Sequence, residues 1–532
     1  MSKIPFVGLH AHSVAGSIFD AIGYPQEHMN FAYENNMTAL ALTDHGNMNG
    51  LPHQVMHTKK MREEGKEFKP IFGVEAYFLP SLDEWRDDYE KAKEDKKKRK
   101  TLSKDITATT VEDEGASKKA VRNILNRRRH LILLAQSQEG LNNLFAMISE
   151  SFGPNNYYRY PRVDYKTLEK YSEGVIAASA CLGGVYAGNF WENRDKGEQA
   201  VLEAMRETTK QMVSIFGDRW YGELQWNSVP EQHSLNKYII EMHKEFGIKL
   251  ISTADSHYPN PDAWKDRELY KKLGWLGKPR PGYESNELPS GVEEIGYELY
   301  PKNGDQMWES YKKYSADCGV EYDDQLVLDS IKETHHIAHS LIDDFLPNNE
   351  VKLPDFVIPA GETADSALER FCLEGLRQLK LHNNKEYTDR LGLELGVISD
   401  RGFSKYFLTM NQISINANET MLAGPGRGSA AGSLVAYVLN ITQVDPLKYG
   451  LQFSRFLRAD AKDYPDIDYD VADSMELKES LIKKWGKDKV APISNWNTLQ
   501  LKSLVKDISK FYQIPFKEVN EVTNIMMSEA IG

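Results

Sequence analysis

Short, unbroken apolar runs recur through the first half of the chain. They are Phe6-Val7-Gly8-Leu9, Ala39-Leu40-Ala41-Leu42, Ile71-Phe72-Gly73-Val74, Leu131-Ile132-Leu133-Leu134, Val175-Ile176-Ala177-Ala178 and Leu250-Ile251-Ser252-Thr253. Continuous apolar runs separated by stretches with helical spacing predict parallel strands buried on both faces, in an α/β unit reaching to about residue 265. From about 270 to 420 the pattern turns mainly helical, with apolar residues at helical spacing over 364–379 and 391–399. Pro354 and Pro359 punctuate the approach to the first of these. A Gly-rich turn at 424–429, a short acidic strand at 465–470 and a last helical region follow. One stretch interrupts the first half. Residues 81–129 are dominated by Asp, Glu, Lys and Arg, including Lys96-Lys97-Lys98-Arg99-Lys100. They predict a solvated, partly helical insertion, with a nucleic-acid-contacting arm as the alternative.

Composition narrows the class. The 532 residues suffice for about three domains, each with its own core. No window approaches 18 uncharged apolar residues, so no membrane span is expected. The first residues have neither the apolar core nor the cleavage site of a signal peptide. Cys181, Cys318 and Cys372 lie far apart, which argues against a disulfide framework and fits a reducing, cytoplasmic setting. The net charge of −13 speaks against nucleic-acid binding only on average, because the distribution matters more. Between Lys478 and Lys510 there are eight lysines against three acids.

Candidate ligands cluster at the ends of the apolar runs: His10-Ala11-His12, Asp44-His45, Glu75 and Asp255-Ser256-His257. When many strands each end in His, Asp or Glu, a barrel whose rim gathers them is the natural geometry. Mixed imidazole and carboxylate ligands suit Zn²⁺, Mn²⁺ or Fe²⁺ better than Ca²⁺ or Mg²⁺ alone. Singly, each of these histidines reads as an ordinary core or surface residue. The segments Leu-His-Ala-His-Ser, Thr-Asp-His-Gly-Asn-Met-Asn-Gly at 43–50, Gly-Val-Glu-Ala-Tyr at 73–77, His-Leu-Ile-Leu-Leu-Ala at 130–135, Ala-Cys-Leu-Gly-Gly at 180–184 and Ala-Asp-Ser-His-Tyr at 254–258 resemble the polymerase-and-histidinol-phosphatase (PHP) domain. That resemblance implies a distorted (β/α)₇ barrel around two or three metals, Zn²⁺ or Mn²⁺. Its ligands here would be His10, His12, Asp20, His45, Glu75, His130, Cys181, Asp255 and His257. A full set resembles the catalytically active branch, which implies a 3′→5′ exonuclease; a purely structural metal site is the alternative.

The second constellation pairs Gly424-Pro425-Gly426-Arg427-Gly428-Ser429 with Tyr464-Pro465-Asp466-Ile467-Asp468-Tyr469-Asp470. Glycines let backbone N–H groups crowd round a phosphate, although no Walker A lysine follows. Carboxylates at i, i+2 and i+4 on a strand face one side, and such crowding calls for a cation. An acidic surface turn or a Ca²⁺ loop is the plain alternative. Together with Asp445-Pro446-Leu447, Phe453-Ser454-Arg455-Phe456-Leu457 and the 401–408 segment, the pair resembles the palm of the bacterial DNA polymerase III alpha subunits, the C family. The resemblance implies a nucleotidyltransferase-type α+β palm and, at Mg²⁺, DNA-directed DNA polymerase activity. Asp468 and Asp470 would be two of three catalytic carboxylates. Arg427, Gly428, Ser429 and Arg455 would contact the incoming deoxynucleoside triphosphate. Arg458-Ala459-Asp460-Ala461 departs from the family's usual Asn-Pro-Glu-Arg. The 497–507 segment resembles the start of the helical thumb, where Lys502 and Lys506 are candidate contacts to primer-template DNA, or else a solvated face.

The expected domains are a PHP domain over 1–268 with the charged insertion 81–129, a first palm segment over 269–474 and the start of the thumb over 475–532. The family's third aspartate, fingers and clamp-binding region are not recognisable, so either a split gene, with a second polypeptide supplying them, or a truncated product is expected. The alternatives are a PHP phosphoesterase acting alone and a non-catalytic replisome assembly module.

Overall fold

The computed structural model describes residues 2–105, 126–275, 287–348, 356–458, 465–493, 498 and 500–531. The side chains at 96–100, Tyr464, the 459–461 part of the family departure and residues 494–497 lie outside the described set. The chain divides into two compact units, Met1–Pro347 with Leu499–Gly532, and Asn348–Thr498.

The strands of the first unit are β1 Ala39–Leu42, β2 Lys69–Phe78, β3 Arg129–Ala135, β4 Tyr157–Tyr158, β5 Tyr160–Val163, β6 Val175–Ala178, β7 Trp220–Gln225 and β8 Lys249–Thr253. Six of them run side by side in the order β1-β2-β3-β6-β7-β8. The first apolar run joins the two ends of this row, because Gly8 bridges Leu40 and Ala11 bridges Ser256 just past β8. The Thr43 N–H donates to the Ala11 carbonyl and the His12 N–H to the Ser256 carbonyl, both at 2.7 Å. Six strands and this segment therefore close a seven-membered barrel.

The ring is parallel except at β3, which is antiparallel to both β2 and β6. The apolar runs alone predict parallel strands throughout, and the charged insertion explains the exception. A parallel neighbour needs a crossover back to the opposite rim. After β2 the chain instead leaves through helix Leu82–Asp105 and re-enters at Arg129 on the rim it left.

Alternate residues pack inward and outward. Val7, Leu9, Ala39, Ala41, Ile71, Ile132, Leu134, Ile176, Ala178 and Ile251 fill the barrel. Phe72, Val74, Leu131, Leu133, Val175 and Ala177 pack outward against the helical layer. Each fully buried Leu, Ile or Phe contributes roughly 1.5–3 kcal/mol. The small Ala39, Ala41 and Ala178 suit the crowded interior.

The second unit is helical. Helices Ala364–Gln378, Lys385–Asp400 and Ser404–Thr420 surround a core that includes Leu368, Cys372, Leu391, Ile398, Phe407, Leu434 and Val435. Thr363 caps the first through Ser366 N and Asn384 the second through Glu386 N, as short polar side chains do at orphan N–H groups. Its β component, among the described residues, is one antiparallel bridge between Ala423 and Val471. No described helix is long and apolar enough to cross a membrane.

Candidate functional site

The ligands expected from the sequence meet on one barrel rim. His10 and His12 flank Ala11, with both imidazoles buried. His45 follows β1 and is bridged to Glu75 in β2. Asp255 and His257 follow β8. His130 lies at the beginning of β3, yet the reversed direction of that strand brings it to the same rim. Three overlapping groups of ligand atoms result, His10–His12–Glu75–Asp255, His12–His45–His257 and His45–Glu75–His130, each with its atoms within 4.8 Å of one another. Asp20 joins at 3.1 Å from His45 Nε2 and 3.6 Å from His257 Nε2. Cys181 Sγ lies 3.6 Å from His130 Nδ1.

The ring nitrogens are sorted by their outer partners. His10 Nδ1 meets Glu223 Oε1 at 2.7 Å, which fixes that nitrogen as the proton carrier and turns the Nε2 lone pair to Glu75 Oε2 at 2.6 Å and Asp255 Oδ1 at 3.0 Å. His12 Nδ1 lies 3.1 Å from Ser17 Oγ, which donates to Asp44 at 2.8 Å. Asp44 also accepts from the Ser13 backbone N–H at 2.6 Å and the Ser13 hydroxyl at 2.9 Å. His257 Nδ1 donates to the Asp255 carbonyl at 2.8 Å.

This arrangement fits divalent cations. His10 Nε2 and His12 Nε2 face each other at 3.0 Å, and two lone pairs do so only with a proton or a metal between them. Glu75 Oε1, Asp255 Oδ1 and His45 Nδ1 are buried without a well-formed hydrogen bond, and their close polar neighbours are other members of the ligand set: His45 Nδ1 stands 3.2 Å from Glu75 Oε1, and His10 Nε2 3.0 Å from Asp255 Oδ1. Burial pulls the His10 imidazole down, yet Asp255 and Glu223 hold it well above its ordinary value. Burial likewise opposes ionisation of Glu75, and the charges of His130 and His45 outweigh it. A pocket this anionic takes up positive charge. Three residues beside or among the ligands occupy the left-handed region: Phe19 at φ 60°, Ala180 at 61° and Asp255 at 49°. Such backbone costs about 1–3 kcal/mol per residue and collects at functional sites.

Sequence reasoning missed several supporting residues. Glu223 shares the inward face of β7 with Tyr221; the run Trp-Tyr-Gly-Glu-Leu-Gln lacks an unbroken apolar stretch, and its charged residue was the available signal. Arg267, also missed, anchors Asp20 through its side chain at 2.8 Å and its carbonyl at 2.7 Å.

In the second unit the Gly-rich turn lies directly on the acidic segment. The Gly424 N–H donates to the Asp470 carbonyl at 2.9 Å and the Ala472 N–H to the Leu422 carbonyl at 3.0 Å. Residues 465–470 form no ladder, yet Asp466, Asp468 and Asp470 are exposed while Pro465, Ile467 and Tyr469 turn inward. Gly428 sits at φ +68°, and a Cβ there would stand 2.4 Å from Asp468 Oδ2. Arg427 reaches Asp470 at 3.2 Å and Asp468 at 3.9 Å. Ser429 opens a short 3₁₀ turn, and exposed Arg455 ends another that packs against it. Glu394, unnoticed in the sequence, holds this turn in place. Fully buried, it accepts from the Leu434 and Val435 N–H groups at 3.0 Å each, Ser433 Oγ at 2.9 Å and Arg390 Nε at 2.6 Å. Lys502 and Lys506 share one face of helix Leu501–Phe511, and both meet helix Phe516–Ile531: Lys502 Nζ is 3.3 Å from Asn524 Oδ1, and Lys506 lies over the Phe516 ring.

Comparison with known proteins matches both regions. The family described as PHP domain covers residues 8–227, and the one described as bacterial DNA polymerase III alpha NTPase domain covers 366–531. DNA polymerase III subunit alpha from Aquifex aeolicus is 33% identical over 99% of this chain and 41% of its own length. That from Borreliella burgdorferi is 32% identical over 98% of this chain and 40% of its own, and that from Campylobacter jejuni 30% over 98% and 41%. The chain thus spans about two fifths of the length of these curated relatives.

Proposed function

Because the chain belongs to the DNA polymerase III alpha family and carries a PHP domain, we propose that it supplies two chemistries to a replicative DNA polymerase. One is a share of the nucleotidyl-transfer site. The other is a self-contained phosphoesterase centre acting on DNA 3′ ends. The observation that carries the second is the convergence of Asp20, Glu75, Asp255, Cys181 and five histidines on one rim, with outer partners that fix the tautomers of His10 and His257.

Cations held there, Zn²⁺ or Mn²⁺ by the donor set, supply charge neutralisation and acidify water. The protein holds the ligand lone pairs inward. Glu223 keeps the His10 proton on Nδ1, the Ser17–Asp44 pair does so for His12, and Arg267 fixes Asp20. At the polymerase site residues 426–429 of the turn offer backbone N–H groups to the triphosphate, since the Gly424 N–H is taken by the Asp470 carbonyl and Pro425 has none. Arg427 bridges to the carboxylates, and Asp468 and Asp470 face outward to hold Mg²⁺. Gly428 supports this reading, since any side chain would fill the space of Asp468. The third carboxylate, the fingers and the clamp-binding region would come from a second polypeptide or a further part of the subunit. On this reading residues 1–268 are the PHP domain, 269–474 the first palm segment and 475–532 the thumb start. The partners are primer-template DNA and deoxynucleoside triphosphates, in the cytoplasm.

Primer extension by the chain supplemented with the remaining part of the subunit tests the polymerase reading. Extension is expected only in the supplemented reaction and is abolished by Asp468→Ala. Extension that survives the substitution overturns the assignment.

A further inference from the structure

Beside the metal rim stands a wall of aromatic rings and guanidinium groups that the ligand set does not use. Tyr77 forms its inner edge, its ring 5.6 Å from that of His130 and 6.1 Å from that of His45. On the Tyr77 ring and the neighbouring Tyr160 ring lies the guanidinium of Arg128, at 5.3 and 4.0 Å from the two centroids. Arg128 donates through Nη1 to the Asn126 carbonyl at 3.1 Å, its Nε is buried without a partner, and among the described residues no carboxylate pairs with it. In a chain with 78 acids against 65 Lys and Arg, a half-buried arginine beside a catalytic-type centre without an acidic partner is set to receive an anion.

A second cation reinforces the first. Arg162 is fully buried, bonds the carbonyls of Arg127, Tyr158 and Tyr160, and stands 5.8 Å from the Tyr160 ring. Burial first, and the positive charge of Arg128 next, pull its guanidinium down to about 10. Arg128 and Arg162 thus stand 4.0 and 5.8 Å from the same Tyr160 ring, and Arg162, also 4.3 Å from the Trp85 ring, braces that ring from within the fold while Arg128 faces outward. Outward from Tyr160 the β4–β5 hairpin carries Tyr157 and Tyr158, 44% and 40% exposed. Arg159 at its turn is held at φ 63°, with its guanidinium 5.9 Å from the Tyr158 ring. Exposed rings interleaved with arginines provide what an unpaired strand needs, π faces for its bases and cations for its phosphates. A duplex, with its bases already stacked, has no use for such rings.

We propose that Arg128, Tyr77 and Tyr160, continued by Tyr157 and Tyr158, form the binding wall for the last nucleotides of a single-stranded DNA 3′ end presented to the metal rim. The inference rests on the reading of that rim as a DNA 3′-end phosphoesterase. Arg128 takes a backbone phosphate and the hairpin tyrosines stack the bases upstream of it. None of these residues is a metal ligand.

The test uses the whole chain with a short 5′-fluorescent oligodeoxynucleotide whose 3′-terminal linkage is a phosphorothioate. Binding is followed by anisotropy at several salt concentrations. Arg128→Met is expected to weaken binding about 10-fold or more and to lower the slope of log affinity against log salt by about 0.7. Tyr158→Ser, at an exposed position that leaves the core intact, is expected to weaken it about 5-fold or more. A 4-thiothymidine at the 3′ end is expected to photo-crosslink within residues 126–163. Unchanged affinity and salt slope in both variants, or crosslinks confined to residues outside that stretch, overturn the wall. The phosphoesterase reading is checked separately by metal-dependent shortening of an unmodified oligonucleotide and its loss in Asp255→Ala. Shortening that persists while Arg128→Met binds normally refutes the wall alone. A wall that binds where nothing is shortened refutes the cleavage reading alone.

Discussion

Replacing Glu223 isolates the contribution of a residue that touches no substrate. Its carboxylate is fully buried, and Oε1 accepts from His10 Nδ1 at 2.7 Å, Gln225 Nε2 at 3.0 Å and Thr253 Oγ1 at 2.5 Å. In Glu223→Ala the His10 ring loses the partner that fixes its tautomer and orientation, so Nε2 is no longer held toward Glu75 and Asp255. Outer partners of this kind typically contribute 10–100-fold to metal affinity, which corresponds to about 1.4–2.7 kcal/mol. Glu223→Gln keeps an oxygen of the same shape that still accepts from His10, so its loss should be the smaller. Competition of the chain with a fluorescent chelator for Zn²⁺ measures both variants against the parent. A graded loss, alanine worse than glutamine, is the expected result. Affinities within about threefold of the parent for both variants would show that Glu223 does not orient His10 for metal, because they fall below the range that an orienting partner contributes.

In the second unit, Glu394→Ala leaves two helix N–H groups and Arg390 without their buried acceptor. It should cost about 3–5 kcal/mol, the usual effect of breaking a buried pair, and appear as early melting of that unit by hydrogen exchange at 434–438. Gly428→Ala should cost about 1–3 kcal/mol through its backbone, because φ 68° with ψ −161° is a region that essentially only glycine enters. It should nonetheless abolish primer extension in the supplemented reaction, since its methyl group displaces Asp468; wild-type extension would show that Asp468 tolerates the shift. His28 is buried, bonded through Nε2 to the Ile22 carbonyl at 3.0 Å, and burial lowers its pKa from 6.5 to about 4. The unfolded chain therefore binds the proton more readily. The His28 contribution is complete above pH 6.5 and is lost as pH falls toward 4, amounting to about 3 kcal/mol. In metal-free protein His28→Asn should flatten the acid side of the stability profile, and an unchanged profile would contradict the assignment.

The barrel was legible because its strands are continuous apolar runs that end in His, Asp or Glu. β7 was not. Gly222 and Glu223 interrupt its pattern, and only the closed ring shows that Glu223 points inward to serve His10. The direction of β3 was equally hidden, since an antiparallel strand buried on both faces has the same composition as a parallel one. His130 precedes its run while the other ligands follow theirs, and that offset is the local trace of the reversal. In the second unit the period-two exposure of Asp466, Asp468 and Asp470 follows from spacing alone. The meeting of Gly428 with Asp468, about forty residues apart in sequence, and the hold of Glu394 on the turn are tertiary facts. For Lys502 and Lys506 the spacing placed them on one face, but not the helix that this face meets.

On the proposed reading, the phosphoesterase ligand set lies wholly within this chain, whereas the polymerase site draws on further residues of the subunit. This reading is tested most directly by incubating the chain alone with Mn²⁺ or Zn²⁺, a primer-template and deoxynucleoside triphosphates, and resolving the primer length. The expected result is a primer shortened from its 3′ end, not extended, with shortening lost in Asp255→Ala. Extension by the chain alone, or shortening that survives Asp255→Ala, would contradict it.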